Sequence, residues 1–439
     1  MQIIKKIIIA ILMIESRLIL KKYKPFIIAV TGSVGKTATK DAIFSALAGS
    51  GHVRKSEKSL NSEFGLPLTI IGVPTAWRNI FGWMKNISTG FSLIVCSKKS
   101  GAYPEILILE IGADHPGDIK HIVKWLRPDI AVITKVGDKP VHVEFFKSPT
   151  QVFEEKSSLA YAVKPGGTAV LFADEPKIIA LGEELKKKGI GVSSFGLMQG
   201  SVIRGEKYEV SYNSSGVPEG FHFNIIVDDA TATAIEPISV KRVIGQTFMY
   251  PLLAAVAVAK VRGINLTEII KNLNLYEAPK GRMNLIAGIN GSTLIDDTYN
   301  SSPDAVSAGM ETLKELECSG RRIVVLGDMM ELGHFSAEEH RVVGKNIKGN
   351  ADILVTVGPR ARAIADEALK SGILNENIMS FSMSMEAGEA LSGMIKTGDI
   401  VLIKGSQSIR MEKITKVLMA DPSLADRLLV RQEKEWLAR

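Results

Sequence analysis

The sequence predicts an α/β chain: a large central domain with a mostly parallel sheet, followed by a second, Rossmann-like α/β domain. Three observations predict it. Short apolar runs of strand length alternate with helical patterns along most of the chain. One such run leads through a glycine-containing turn directly into a helix. The alternation then starts afresh after Ala278-Pro279-Lys280-Gly281, a composition shift that marks an interdomain hinge.

Residues 1–24 come first and read as a basic amphipathic helix. The apolar run Ile7–Ile14 is too short to span a bilayer and is ended by Glu15 and Arg17. No small-residue cleavage site follows it. With Lys21, Lys22 and Lys24 beside Ile14, Leu18 and Ile19, the segment can make peripheral contact with an anionic membrane or cover an apolar groove of its own protein. Both readings stand at this point.

The central domain, residues 25–278, opens with a strand at Phe26–Val30. Further buried strands are expected at Ile106–Leu109, Ile130–Ile133 and Thr168–Phe172, each a continuous apolar run as in a sheet covered on both faces. Helices are expected at Ala38–Leu47 and Val152–Val163. From Gly205 to Val240 polar and apolar residues alternate between turn formers, the pattern of antiparallel strands inserted into the parallel unit. Pro251–Val261 is an Ala-rich helix. The domain of residues 279–439 has strands at Thr293–Ile295, Arg322–Leu326, Ile353–Val357 and Ile400–Ile403.

Composition excludes some functions. With 46% hydrophobic and 23% charged residues, 439 residues can bury the cores of two or three domains. The net charge of +7 comes without a Lys/Arg block interleaved with aromatics, so no nucleic-acid surface is expected. Cys96 and Cys318 are far apart and have neither metal-ligand spacing nor a disulfide framework. A reducing, cytoplasmic location fits, and Cys96, next to an apolar run, reads as a buried small residue.

The strongest chemical signal is Thr31-Gly32-Ser33-Val34-Gly35-Lys36-Thr37. A loop between strand and helix aims backbone N–H groups at one spot, and the helix start adds positive potential. Gly32 and Gly35 let the backbone of Ser33 and Val34 approach a phosphate. Lys36 would neutralise the β- and γ-phosphates of ATP, and the Thr37 hydroxyl would bind Mg²⁺. The full eight-residue pattern needs glycine at position 30, which is Val30, so this is a shortened P-loop.

Further segments follow in a fixed order: Asn61-Ser62-Glu63-Phe64-Gly65-Leu66-Pro67, Glu110-Ile111-Gly112-Ala113-Asp114, Val141-His142-Val143-Glu144-Phe145-Phe146 and Glu154-Glu155-Lys156. Past the hinge come Gly281-Arg282-Met283, Asp296-Asp297-Thr298-Tyr299-Asn300, Leu326-Gly327-Asp328-Met329-Met330-Glu331-Leu332-Gly333 and Lys404-Gly405-Ser406. From about Pro25 onward this order resembles the Mur ligases. The resemblance implies an ATP-dependent ligase that joins a carboxylate to an amine through an acyl phosphate. It further implies addition of D-alanyl-D-alanine to a UDP-muramoyl-peptide precursor in peptidoglycan synthesis. A folylpolyglutamate-type ligase and a degenerate nucleotide-binding regulatory partner are the alternatives. The implied partners are small molecules, a carboxylate acceptor and an amino-acid or dipeptide amine.

The resemblance also assigns residues. Glu110 and His142 would be magnesium ligands, and Lys156 would be carbamylated and so become a metal-binding carboxylate. Arg282 would reach the γ-phosphate and Asp297 the ribose hydroxyls once the hinge closes, with water expelled. Asn300 and Asp328, after apolar strands, are candidates for holding the amine. Lys404-Gly405-Ser406 is either a binding loop or a plain turn.

Two departures from the family stand out. Only the short basic helix precedes the phosphate-loop strand, so the UDP-sugar-binding domain is expected to be absent or supplied by a partner chain. In Gly245-Gln246-Thr247-Phe248-Met249-Tyr250, Tyr250 stands where the family places an adenine-binding Asn, and Phe172 stands where an Asn is usual near Asp174.

Overall fold

The computed structural model describes residues 2–57, 65–76, 79–97, 103–137, 145–146, 148–228 and 233–437. Among them are two sheets. The first contains β1 (Phe26–Thr31), β2 (Val53–Lys55), β3 (Ile106–Glu110), β4 (Ile130–Ile133), β5 (Thr168–Phe172) and β6 (Gly191–Gly196). It continues through β7 (Ile203–Tyr212), β8 (Pro218–Asp228) and β9 (Thr233–Lys241). The strand order is β2-β3-β1-β4-β5-β6-β7-β8-β9. Pairing is parallel as far as β7, and β7, β8 and β9 are antiparallel. The second sheet contains β10 (Asn284–Ala287), β11 (Thr293–Asp297), β12 (Arg322–Gly327), β13 (Ile353–Val357), β14 (Ile378–Phe381) and β15 (Ile400–Lys404), in the order β10-β11-β15-β12-β13-β14. Only β10 pairs antiparallel there, with β11.

The helices are α1 (Gln2–Tyr23), α2 (Lys36–Ala46), α3 (Gly65–Ile71), α4 (Ile80–Val95), α5 (Asp118–Val123), α6 (Pro149–Tyr161) and α7 (Pro176–Lys187). They continue with α8 (Met249–Val261), α9 (Leu266–Leu273), α10 (Pro303–Glu315), α11 (Ser336–Lys345), α12 (Arg362–Lys370), α13 (Ser384–Ser392), α14 (Glu412–Leu418), α15 (Ala425–Leu428) and α16 (Lys434–Leu437).

The apolar runs became central strands because both their faces are covered. Ile28, Ala29 and Val30 are fully buried, as are Leu107, Ile108 and Leu109 beside them. Each of the Ile, Leu and Val side chains contributes roughly 1.5–3 kcal/mol when removed from water. Helix α8 lacks a polar face: ten of its residues are buried, because it lies between α2 and the sheet. In the second sheet successive residues alternate in face. Val324 and Leu326 join the core continuous with the first domain, while Ile323 and Val325 belong to a separate core on the other side.

Sequence reasoning missed β2, β6, β10 and β14. Three of these end or flank a sheet, are short, and lack a long apolar run. One expectation is overturned: Cys96 is exposed, because it ends α4 rather than entering the core. Helix α1 packs on α3 and α4, with Leu12, Ser16 and Ile19 fully buried, so it does cover an apolar groove of its own protein.

Candidate active site

Strand β1 is flanked by β3 on one side and β4 on the other, so the chain reverses its direction of travel across the sheet there. The crevice outside the carboxyl ends of such strands is the natural ligand site of an open α/β sheet. The turn at Gly32–Gly35 lies in it. A Cβ at Gly32 would stand 1.9 Å from Thr134 Oγ1, and Gly35 has φ of 86°, so both positions demand glycine.

The turn is tied down from β4. Ser33 and Val34 N–H donate to the Lys135 carbonyl at 2.8 and 3.2 Å, and Thr134 Oγ1 donates to the Val34 carbonyl at 2.7 Å. These two amides therefore have an acceptor of their own. The N–H groups left for an anion are those of the first turn of α2, which have no acceptor inside the helix. Lys36 curls back over the turn and donates to the Gly32 carbonyl at 2.9 Å and the Ser33 carbonyl at 3.4 Å. Burial lowers its pKa, opposed by Glu110 and reinforced by Arg282.

One turn into the site, Thr37 Oγ1 donates to Glu110 Oε1 at 3.1 Å. The two expected ligands, 73 residues apart, are thus in contact. Glu110 closes β3 and is 1% exposed, its N–H held by Ser56 Oγ at 3.2 Å. Its second oxygen, Oε2, accepts no hydrogen bond among the described residues and has only Lys40 Nζ at 3.6 Å. A buried carboxylate oxygen left in this way next to a hydroxyl suits a hard divalent cation. The described residues hold no cluster of three or more His, Cys, Asp or Glu side chains that would bind a metal alone. Lys40, itself 1% exposed and shared with Asp41, was not foreseen. Its signal was its place one turn after Lys36 on the same helix face.

Lys156 is buried on α6, and burial plus the nearby Lys36 lower its pKa to about 7, against the opposing pull of Asp114 and Glu155. Its neighbour Glu155 serves a structural end: its carboxylate accepts from the N–H groups of Gly117, Ile119 and Lys120 at 2.7–3.0 Å and so caps α5. That cap fixes α6 relative to the loop carrying Asp114. His142 lies outside the described residues.

The C-terminal half reaches the same place. Arg282 and Glu331 are both close enough to Lys36 to alter its charge equilibrium, and Arg282 stacks over the Tyr299 ring at 4.3 Å. Gly281, with φ of 69°, accepts from Tyr299 N–H at 3.0 Å, which holds the Gly281–Arg282 turn against the end of β11. Asp297 accepts from Lys404 Nζ at 2.7 Å, and Lys404 also donates to the Asn300 carbonyl at 2.9 Å. The Lys-Gly-Ser segment is therefore a buried brace under Asp297 and Asn300. Asp328 Oδ1 accepts from the N–H groups of Arg360 and Ala361 at 3.0 and 2.8 Å, so one of its oxygens anchors the start of α12.

His340 was missed entirely. It is buried, its Nε2 accepts from Met329 N–H at 3.0 Å, and its Nδ1 sits 2.6 Å from the Ser336 carbonyl. Burial lowers its pKa, and these two contacts fix the neutral tautomer protonated on Nδ1. With Ser406 Oγ, which accepts from Met330 N–H at 2.9 Å, it shapes the loop that carries Glu331 to Lys36. Its sequence signal, a histidine on a polar helix, was indistinguishable from a surface residue.

Phe172 and Tyr250, the residues that depart from the family pattern, touch each other edge to face at 4.9 Å. Tyr250 is also hydrogen-bonded with Asp174, and burial raises its pKa. Gln246 is exposed.

Residues 84–259 match the Mur ligase middle domain, and residues 281–407 match the Mur ligase glutamate ligase domain. The UDP-N-acetylmuramoyl-tripeptide–D-alanyl-D-alanine ligase of Bacillus subtilis (strain 168) is 28% identical over 398 residues, covering 90% of this chain and 76% of that one. The enzyme of the same name from Mycobacterium tuberculosis (strain ATCC 25618 / H37Rv) is 28% identical over 414 residues, covering 90% and 73%. The solved MurF ligase of Thermotoga maritima, in complex with ADP, superposes with a TM-score of 0.72 at 25% identity over 93% of this chain and 83% of that one. Mycobacterium tuberculosis folylpolyglutamate synthase shares the fold, with a TM-score of 0.63 at 12% identity over 92% and 94%. With two Mur ligase domains matched in order and the glycine turn, Glu110 and Arg282 gathered at one crevice, the chain belongs to the Mur ligase family.

Proposed function

We propose that this enzyme adds D-alanyl-D-alanine to a UDP-muramoyl-tripeptide precursor of peptidoglycan in the cytoplasm. Family membership makes it an ATP-dependent, ADP-forming acid–amino-acid ligase. The observation that carries the site is the contact between Thr37 and Glu110, with one Glu110 oxygen left over, at the start of α2.

In the reaction, an oxygen of the acceptor carboxylate attacks the γ-phosphorus of ATP, the bond to the bridging oxygen breaks, and ADP leaves. The amine nitrogen then attacks the acyl carbon, the bond to the phosphate oxygen breaks, and the nitrogen loses a proton. The first-turn N–H groups of α2 and the Lys36 ammonium hold the phosphates. Thr37 and Glu110 would hold Mg²⁺, with His142 and a carbamylated Lys156 completing the set. The ion supplies charge neutralisation at the phosphoryl oxygens. A lysine held at a pKa of about 7 has the neutral amine that carbamylation requires. Arg282 serves the γ-phosphate from across the hinge, and the free oxygen of Asp297 serves the ribose. Asn300 and Asp328 shape the amine site. In this reading residues 25–278 bind ATP and acceptor, and residues 279–439 bring the amine.

Purified enzyme given ATP, UDP-N-acetylmuramoyl-tripeptide and D-alanyl-D-alanine should release phosphate only when all three are present. Mass spectrometry should find the pentapeptide product. Turnover with a folate and glutamate instead would replace the substrates, and nucleotide binding without turnover on either pair would replace the reaction.

A further inference from the structure

Helix α4 leaves an apolar face outside. Its sequence is strongly apolar, yet only Asn86 and Gly90 are buried. Phe81 is 77% exposed, Met84 62%, Phe91 60% and Val95 59%, and their spacing places them on one face. The opposite side meets the protein through the half-buried Trp83, Ile87, Leu93 and Ile94, with Asn86 and Gly90 as its fully buried positions. Asn86 Nδ2 donates to the Pro74 carbonyl at 2.8 Å, and a Cβ at Gly90 would collide with Glu15 of α1. Helix α1 packs alongside and exposes Ile7, Ile14 and Leu18. Lys22 ties the pair together by donating to the carbonyls of Leu93 and Ile94 at 2.9 Å each. A helix of a water-facing protein puts such residues inward, so this face is built for something other than water.

Charge identifies what that is. Residues 2–24 and 79–97 hold seven Lys and Arg against one acid, Glu15, which is buried. They carry six of the seven units of formal net charge of the whole chain. Two copies of such a surface repel each other, which disfavours self-association. No helix among the described residues is long and apolar enough to cross a membrane. An apolar stripe bordered by cations, unable to span, matches an in-plane contact with anionic lipid.

We propose that the α1–α4 pair docks the enzyme on an anionic phospholipid bilayer, with Phe81, Met84, Phe91 and Val95 entering the boundary between headgroups and acyl chains. The exposed Lys21, Lys24 and Lys85 then lie at the phosphate level. The face stands independently of the ligase substrates.

The test is co-sedimentation of the full chain with vesicles of phosphatidylcholine alone and of phosphatidylcholine mixed with phosphatidylglycerol. Binding is expected to the mixed vesicles only and to weaken as salt rises. Phe81→Ser with Phe91→Ser should lower it by about tenfold or more, and Lys21→Gln with Lys24→Gln by about tenfold. These side chains are exposed, so thermal stability and nucleotide-dependent turnover in solution should be unchanged. Absence of binding to the mixed vesicles overturns the proposal. So does full retention in the Phe81/Phe91 variant, or a wild-type dimer in lipid-free solution that this variant abolishes.

Discussion

Lys404 and Lys156 are both buried lysines, one under each domain's motif residues, and their charges are handled differently. Lys404 donates to Asp297 at 2.7 Å and to the Asn300 carbonyl at 2.9 Å. Lys156 faces a second cation, Lys36, and burial holds its pKa at about 7. The same contrast runs through the acids. Asp328 spends an oxygen on two helix-start amides, whereas Glu110 keeps an oxygen with no hydrogen bond. Of these four residues, the two in the central domain keep charge for a ligand to complete, and the two in the C-terminal domain are used to set loop shape. Buried polar groups are normally satisfied, so an unsatisfied carboxylate oxygen beside the glycine turn marks Glu110 as a candidate for binding.

The comparison can be broken by substitution, starting with the largest effect. Lys404→Met strands Asp297 in the interior and should destabilise the protein by about 3–5 kcal/mol, read from urea unfolding. Unchanged stability would mean that the brace is not structural. Lys36→Ala should cut turnover by about 10²–10³-fold while the urea midpoint stays near wild type. Lys156→Ala should lower turnover by about 10²-fold. Acetate should restore part of it, by placing a carboxylate where the carbamate would lie; acetate without effect would argue for a lysine that acts as an amine.

Asp328→Ala removes the acceptor of two N–H groups and should cost about 1–2 kcal/mol of stability. If turnover instead falls with stability intact, Asp328 contacts the amine directly rather than shaping its site. The smallest effect is Glu15→Gln. Burial raises the Glu15 pKa from 4.5 to about 7. A raised acid favours folding at pH below its unfolded value and loses that contribution as pH rises through 7. Glu15→Gln should therefore raise the melting temperature at pH 8 and leave it unchanged at pH 4. A gain equal at both pH values would exclude the carboxylate as the cause.

Much of the site was legible because its signals are local. Gly32 and Gly35 had to be glycine for backbone reasons, and Lys36 and Thr37 follow at once on the same helix start. Glu110 could be found because it ends a run of apolar strand residues. His340 and Lys40 could not. A histidine or lysine in a polar helix looks the same whether it faces water or a loop from another element.

By itself the sequence determined the order of most central strands and the glycine turn, since these depend on apolar periodicity and on backbone conformations open to few residues. Helix α1 is the instructive exception, for its sequence allowed a membrane surface or its own protein. Only the tertiary structure decided that Leu12 and Ile19 are buried against the chain while Ile14 and Leu18 are left outside. It likewise decided that Lys404 braces Asp297 and that Ser33 and Val34 N–H groups already have an acceptor. The reason is the same in each case. A side chain's charge and burial are set by groups tens or hundreds of residues away, and no local pattern encodes which of them will be adjacent.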